Sequence, residues 1–184
     1  MRRITISELK DNIRGLKTGE RVLLTGDLYV ARDAAHKRMT EALAAGEGLP
    51  FDITDQVIFY MGPCPAAPGE VIGPAGPTTS HRMDAYSPAL FEKGLLGTIG
   101  KGNVSQSVID AIVARQGVYF TCVGGTGCLS LDRINSAEVI AYPDLGAEAI
   151  RHIQVEDFPV IVAVDSQGNN VFHEQRKIYQ QTIE

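Results

Sequence analysis

Short apolar runs alternate along this chain with longer stretches in which apolar residues recur every third or fourth position. RVLLTGDLYV (21–30) predicts a strand with Val22 to Leu24 at its centre, ending at Thr25-Gly26. In RDAAHKRMTEALAAGEG (32–48), Ala35, Met39, Ala42 and Leu43 form one helical stripe. Asp33 is placed to cap that helix or sit in its first turn, and Gly46 and Gly48 end it. QVIFYMGP (56–63) predicts a second strand, and DAYSPALFEKG (84–94) a short helix that Pro88 either starts no earlier than about Ser87 or kinks. LLGTIG (95–100) reads as a third strand. NVSQSVIDAIVARQG (103–117) reads as a helix capped by Asn103, stopped by Gly117, with Val108, Ile109, Ile112 and Val113 facing the core. VYFTCVGG (118–125) and AEVIAYP (137–143) are further strands, with a short helix around Leu129 to Asn135 between them. FPVIVAVDSQGNNVF (158–172) predicts a β-hairpin, Val160 to Val164 returning through Val171 and Phe172. Strands alternating with helices predict an α/β layered domain with a partly parallel sheet flanked by helices.

Composition narrows the class. The 184 residues are 44% hydrophobic and 21% charged, as in one globular domain with a sizeable core. A net charge of −5 gives no support to a nucleic-acid or membrane-surface role. Glu8, Lys10 and Asp11 interrupt any apolar segment near the start, so no signal peptide is expected, and no apolar run approaches the length of a membrane span. A soluble, cytoplasmic protein is the expectation. Cys64, Cys122 and Cys128 are odd in number and form no C-x-x-C pair, which argues against a disulfide framework. They read first as small buried residues, with a three-cysteine cluster site as the alternative.

The candidate chemistry lies in the connections. GPAGPTTSHRMD (73–84) contains Pro74 and Pro77, so it is neither helix interior nor central strand, yet it is dense in hydrogen-bonding side chains. Arg32 falls between the first strand and its helix. Thr78, Thr79, Ser80 and Arg82 fall after the second strand, and Lys101 after the third. If these strands are parallel, their carboxyl ends gather the three cations at one edge, beside helix N-termini that favour anions. Such an edge suits a small molecule with more than one carboxylate or phosphate; the alternative is a set of solvated surface charges on a Pro/Gly-punctuated loop. The phosphate-loop pattern G-x-x-x-x-G-K-[ST] is not met, so a nucleotide is the weaker ligand.

GPTTSHRMD (76–84), with ARDAAHKRM (31–39) before it and GKGNVS (100–105) after it, resembles the β subunit, or C-terminal domain, of the iron–sulfur class I fumarate hydratase and L(+)-tartrate dehydratase family. The resemblance continues through YFTCVGG (119–125), EVIAYPDLGAEAI (138–150) and VEDFPVIVAVDSQGN (155–169). It implies a swivelling β/β/α domain spanning 1–184, with an active site shared with a larger α subunit in a heterotetramer. That subunit would hold a [4Fe–4S] cluster with one iron open to the substrate. The resemblance implies that Arg32 and Arg82 grip substrate carboxylates, that Thr79 and Lys101 add hydrogen bonds or charge, and that Thr78 is the catalytic base, activated as an alkoxide. The implied reaction is reversible hydration of a small dicarboxylate, fumarate/L-malate first, with L(+)-tartrate and mesaconate as alternatives. His36, in the matching Arg-Asp-Ala-Ala-His run, is read as structural or as orienting Arg32. Asp84 is read as capping the next helix or pairing with Arg82, and His81 receives no role. Two other classes stand beside this one: a stand-alone anion-binding module, and a domain binding its own cluster through its cysteines.

Overall fold

The computed structural model describes residues 1–125 and 131–180. Seven strands form one sheet: β1 (Arg2–Thr5), β2 (Arg21–Val30), β3 (Val57–Phe59), β4 (Gly97–Gly100), β5 (Val118–Thr121), β6 (Ile134–Ala141) and β7 (Ile150–Val164), in the order β1-β2-β3-β4-β5-β7-β6. The first five are parallel along that order, and β7 is antiparallel to its neighbours. The long β7 pairs with β2 from Arg151, opposite Val30, to Ile161, opposite Arg21, and also with β5 at Val164, opposite Tyr119. Strands β2, β3, β4, β5 and β7 therefore close into a ring, which satisfies backbone groups that an open sheet would leave at an edge.

Alternation along the strands divides the core. Val57, Phe59 and Met61 join Ile4, Leu24, Leu28, Phe120, Phe158 and Val162 inside the ring. Ile58, Tyr60 and Tyr119 point outward beneath the helices α2 (Asp33–Ala44), α3 (Ser87–Glu92) and α4 (Gln106–Arg115), meeting Ala35, Met39, Leu90, Phe91, Val108 and Ile112. With both faces covered, β3 and β4 are buried at every position. The first twenty residues, for which the pattern predicts no element, supply β1 and a helical segment containing α1 (Leu9–Asn12). Its Ile6, Leu9, Ile13 and Leu16 pack into the inner core, each worth about 1.5–3 kcal/mol relative to exposure.

The structure departs from the expected elements in several places. Strand β2 does not end at Thr25-Gly26. It continues to Val30 through a register shift between Leu24 and Gly26, where Gly26 has φ 125° and the Ile6 side chain lies 3.3 Å from the place of a Cβ. Helix α4 is not capped by Asn103: Ser105 holds the cap position, and its N–H donates to Asp84 Oδ2 at 2.8 Å. The left-handed residue that ends α4 is Gln116 (φ 56°) rather than Gly117, and Val113 is 40% exposed rather than in the core. The expected hairpin is cut to a single antiparallel bridge, Val164 opposite Asn170. Asp165 Oδ1 accepts the N–H groups of Gln167 and Asn169, and Asn170 Oδ1 accepts that of Phe172. The chain is thereby turned into α5 (Val171–Gln180), so Val171 and Phe172 begin a helix instead of a returning strand. The expected helix near 129–135 is a 3₁₀ turn at Leu131–Arg133, and Ser130 and Leu129 lie outside the described residues. No helix among the described residues is long and apolar enough to cross a membrane.

Candidate functional site

The parallel register puts the carboxyl ends of β2, β3 and β4 side by side, and the connections that follow them carry the predicted residues. Arg32 leaves β2 in an extended conformation and stands at the N-cap of α2 without capping it. Its side chain is 19% exposed and lies across Gly62, where a Cβ would come within 2.9 Å of Arg32 Cδ. Gly62 thus makes the room that Arg32 occupies. Arg32 Nη2 lies 3.7 Å from Asp33 Oδ2 and 3.7 Å from Glu148 Oε1, and its Nε is buried without a partner among the described residues.

After β3 the chain runs out through residues 62–76 and returns at Pro77, opposite Met61. The next residues enter between the ends of β3 and β4. Thr78 N–H donates to Tyr60 O at 2.7 Å, Lys101 N–H donates to Thr78 O at 3.1 Å, and Ser80 N–H donates to Lys101 O at 2.9 Å. Thr79 and Lys101 are paired residues of this short parallel bridge. Buried Ser80 sits where a Gly100 Cβ would be, which requires glycine there. Tyr119 O–H donates to Gly102 O at 2.7 Å and receives the Ser80 hydroxyl at 2.8 Å, tying the loops on either side of Lys101. The Thr78 and Thr79 hydroxyls and the Lys101 ammonium make no side-chain hydrogen bond or ion pair in the described residues, whereas backbone bonds hold their main chains rigidly.

Arg82 sits on a 3₁₀ turn, Ser80–Met83, and its Nε lies 2.7 Å from Asp33 Oδ1 as an ion pair. Both arginines therefore face one carboxylate, and the predicted gathering of cations at this edge holds for them. Carboxylates of this chain already stand at two of the helix N-termini. Ala34 N–H, in the first turn of α2, donates to Glu148 Oε2 at 2.8 Å, and Asp84 Oδ2 accepts the N–H of Ser105, the N-cap residue of α4. Asp84 caps α4 rather than the adjacent α3, does not pair with Arg82, and also meets His81 Nδ1 at 2.6 Å. His36 is fully buried, with Nδ1 2.9 Å from the Arg32 carbonyl and its ring edge-on to Tyr60. The carbonyl accepts, so Nδ1 carries the proton and Nε2 is a buried acceptor without a partner in the described residues.

Asp33 and Glu148 were not foreseen as parts of this site. Asp33 carries a signal in its adjacency to Arg32. Glu148 carries none, since it arrives from 114 residues away on a turn, Pro143–Glu148, that Arg38 staples to α2 through Asp144 at 2.8 and 2.9 Å.

Burial pushes the His36 imidazole down to about 4 from an ordinary 6.5, against the opposing pull of the Arg32 carbonyl and Asp33. Between those values the unfolded chain binds a proton that the folded chain refuses. Stability is thus complete above about pH 6.5 and falls as the pH drops towards 4, by up to about 3 kcal/mol. Urea unfolding at pH 7.5 and 4.5 should show this loss, with a smaller one in His36→Gln. Equal losses in the two proteins would remove His36 from the account.

Other features lie elsewhere. Cavities of about 310 and 320 Å³ open near the amino ends of the parallel strands, lined by Lys10, Asp55, Leu96 and Arg115, where Lys10 and Arg115 both close on Asp55. Cys64 is exposed, contrary to its reading as buried, because it lies on the 62–76 excursion. Cys122 packs partly against the inner core, and burial pushes its thiol up to about 12. Cys128 lies outside the described residues. Among the described residues no three His, Cys, Asp or Glu gather as a metal site.

Known proteins resemble the chain over nearly all of its length. It is 39% identical over 171 residues to the aerobic class I fumarate hydratase of Salmonella typhimurium, covering 92% of this chain and 30% of that protein. The corresponding Escherichia coli enzyme is 42% identical over 156 residues, 84% of this chain and 28% of its own length. The chain thus spans about 30% of the length of these fumarate hydratases. A Methanocaldococcus jannaschii protein, provisionally named L(+)-tartrate dehydratase subunit beta, is 32% identical over 182 residues, 95% of this chain and 93% of its own. With residues 1–175 matching its pattern, the chain belongs to the Fumarase C-terminus family.

Proposed function

We propose that this chain is the β-type part of a [4Fe–4S]-dependent hydro-lyase that reversibly hydrates a small dicarboxylate, with fumarate/L-malate as the leading pair. The observation that carries this reading is the meeting of Arg32 and Arg82 at one carboxylate, beside the Thr79–Lys101 bridge. Two guanidiniums offer planar forks for two carboxylates, and Lys101 adds a point charge. On this reading the cluster's ligands belong to a partner α subunit. The relatives support the same division: one is named a β subunit, this chain covers about 30% of a longer fumarate hydratase, and its family is that of the fumarase C-terminus. The ring of strands with helices outside it is consistent with a swivelling β/β/α domain spanning 1–184.

In the dehydrating direction Arg32, Arg82 and Thr79 hold the carboxylates. Thr78, as an alkoxide, takes the proton from the carbon next to a carboxylate. The charge that moves onto that carboxylate is stabilised by Lys101 and Arg82, and its return forms the double bond as the hydroxyl leaves the adjacent carbon; the cluster, when bound by the partner, would supply a Lewis acid for that hydroxyl. A threonine hydroxyl is too weak an acid to ionise unaided, so its activation needs these cations and a proton acceptor on the partner. The assembled enzyme is a cytoplasmic heterotetramer on this reading. L(+)-tartrate and mesaconate share the two carboxylates and remain the alternative substrates; the alternative class is a non-catalytic dicarboxylate-binding module.

Co-expression with a cluster-bearing α subunit, anaerobic purification and assay on malate, tartrate and mesaconate tests the reading. Turnover by the complex and none by this chain alone is the expected result, and the preferred substrate names the enzyme. A complex without turnover on all three, or tight dicarboxylate binding unaffected by the partner, favours the binding module instead.

A further inference from the structure

Asp33 stands between the two arginines, and no step of the proposed chemistry uses it. Its Oδ1 lies 2.7 Å from Arg82 Nε as an ion pair, while Oδ2, buried and without a hydrogen-bond partner among the described residues, lies 3.7 Å from Arg32 Nη2. This contact takes the Nε edge of Arg82 and leaves its terminal nitrogens available on a side chain 52% exposed. Asp33 is itself held. It lies in the first turn of α2, whose next amide is bonded to Glu148 and whose His36 side chain grips the Arg32 carbonyl. The two guanidiniums thus reach the surface from different loops, one after β2 and one after β3, and a single helix-borne carboxylate spans them.

We propose that Asp33 is a positioning residue that holds Arg32 and Arg82 at one fixed separation, so that the pair favours a ligand with two carboxylates over a ligand with one. The proposal rests on the dicarboxylate reading given above. A second role for the same carboxylate is simple screening. Arg32 meets Asp33 and Glu148, Arg82 meets Asp33, and with Lys101 on the neighbouring bridge three cations stand against two carboxylates, leaving one net positive charge. Removing Asp33 raises that charge and, if screening is its whole effect, strengthens the preference for a doubly charged ligand. Positioning predicts the opposite sign: freed from each other, the guanidiniums lose their match to two carboxylates at a set spacing.

The test is an NMR titration of the full chain with succinate and with propionate, following the Thr79 and Lys101 amides in wild type, Asp33→Ala and Asp33→Asn. Both substitutions remove the same charge, but asparagine keeps an oxygen for Arg82 Nε. The succinate-to-propionate affinity ratio is expected to fall about fivefold or more in Asp33→Ala, equivalent to roughly 1 kcal/mol, and to be partly restored in Asp33→Asn. A ratio unchanged or raised, and equal in the two variants, overturns the positioning role. The Arg82 Nε resonance reads the ion pair without ligand: a chemical shift displaced in Asp33→Ala from its wild-type position is expected, and an unmoved shift overturns it. Should Asp33→Ala not fold, Asp33→Ser removes the same contacts at a position where serine suits a helix first turn. A wild type with no preference for succinate sinks the dicarboxylate reading itself, an outcome separate from a preference that survives loss of Asp33.

Discussion

Thr78→Ala, in the complex with the cluster-bearing subunit, is expected to lower kcat about a thousandfold, within the range of roughly 10²–10⁴ for loss of a positioned acid or base. KM for the dicarboxylate should move by less than about threefold. The reason is geometric. Thr78 is held by its main chain, through Tyr60 O and Lys101 N–H, so alanine keeps both bonds and the backbone path. What disappears is a hydroxyl that no described residue engages. Thr78→Ser keeps the hydroxyl and should retain much of the rate. Steady-state kinetics of the two variants decide the matter, and a wild-type kcat in Thr78→Ala removes the residue from the chemistry.

Arg82→Lys is expected to raise KM about thirtyfold, roughly 2 kcal/mol, with a smaller change in kcat. Arginine meets Asp33 through Nε and still has two terminal nitrogens for a ligand carboxylate. A lysine has one ammonium, which either pairs with Asp33 or turns to the ligand, and it presents no planar fork in either case. The substitution keeps the charge, so long-range attraction for an anion survives and the loss reports geometry. An unchanged KM in the same assay would place Arg82 outside the binding site.

Much of the site is legible in the chain because its residues follow strand ends. Once β2, β3 and β4 are parallel, Arg32, the 78–82 run and Lys101 lie at one edge whatever the details of packing. The helix at Asp33–Ala44 and the short one at Ser87–Glu92 follow from local periodicity and from Pro88, and both stand where expected. The turn after β7 shows the limit of that reading. Valines before Asp165 and Val171-Phe172 after it have the composition of a hairpin. The side chains of Asp165 and Asn170 bond to nearby amides and start a helix instead. Asn103 looked like a cap for the same local reason, but it pairs with Asn170 Nδ2 at 2.9 Å, and Asp84 reaches the helix from 21 residues away.

The sequence by itself determined the alternation of strands and helices, the identities of Arg32, Thr78, Thr79, Arg82 and Lys101, and their order after successive strands. These are local properties, set by periodicity, by proline and glycine, and by the position of each residue in its own segment. Tertiary structure alone decided what lies between those residues. The ring closes because β7 is long enough to bond to both β2 and β5. Glu148 reaches the first turn of α2 because Arg38 binds the turn that carries it. Asp33 bridges two arginines because the loop after β3 folds back between the ends of β3 and β4. Each of these contacts joins residues far apart in the chain. Their free energy comes from burial and pairing across the sheet, which no window of neighbouring residues contains.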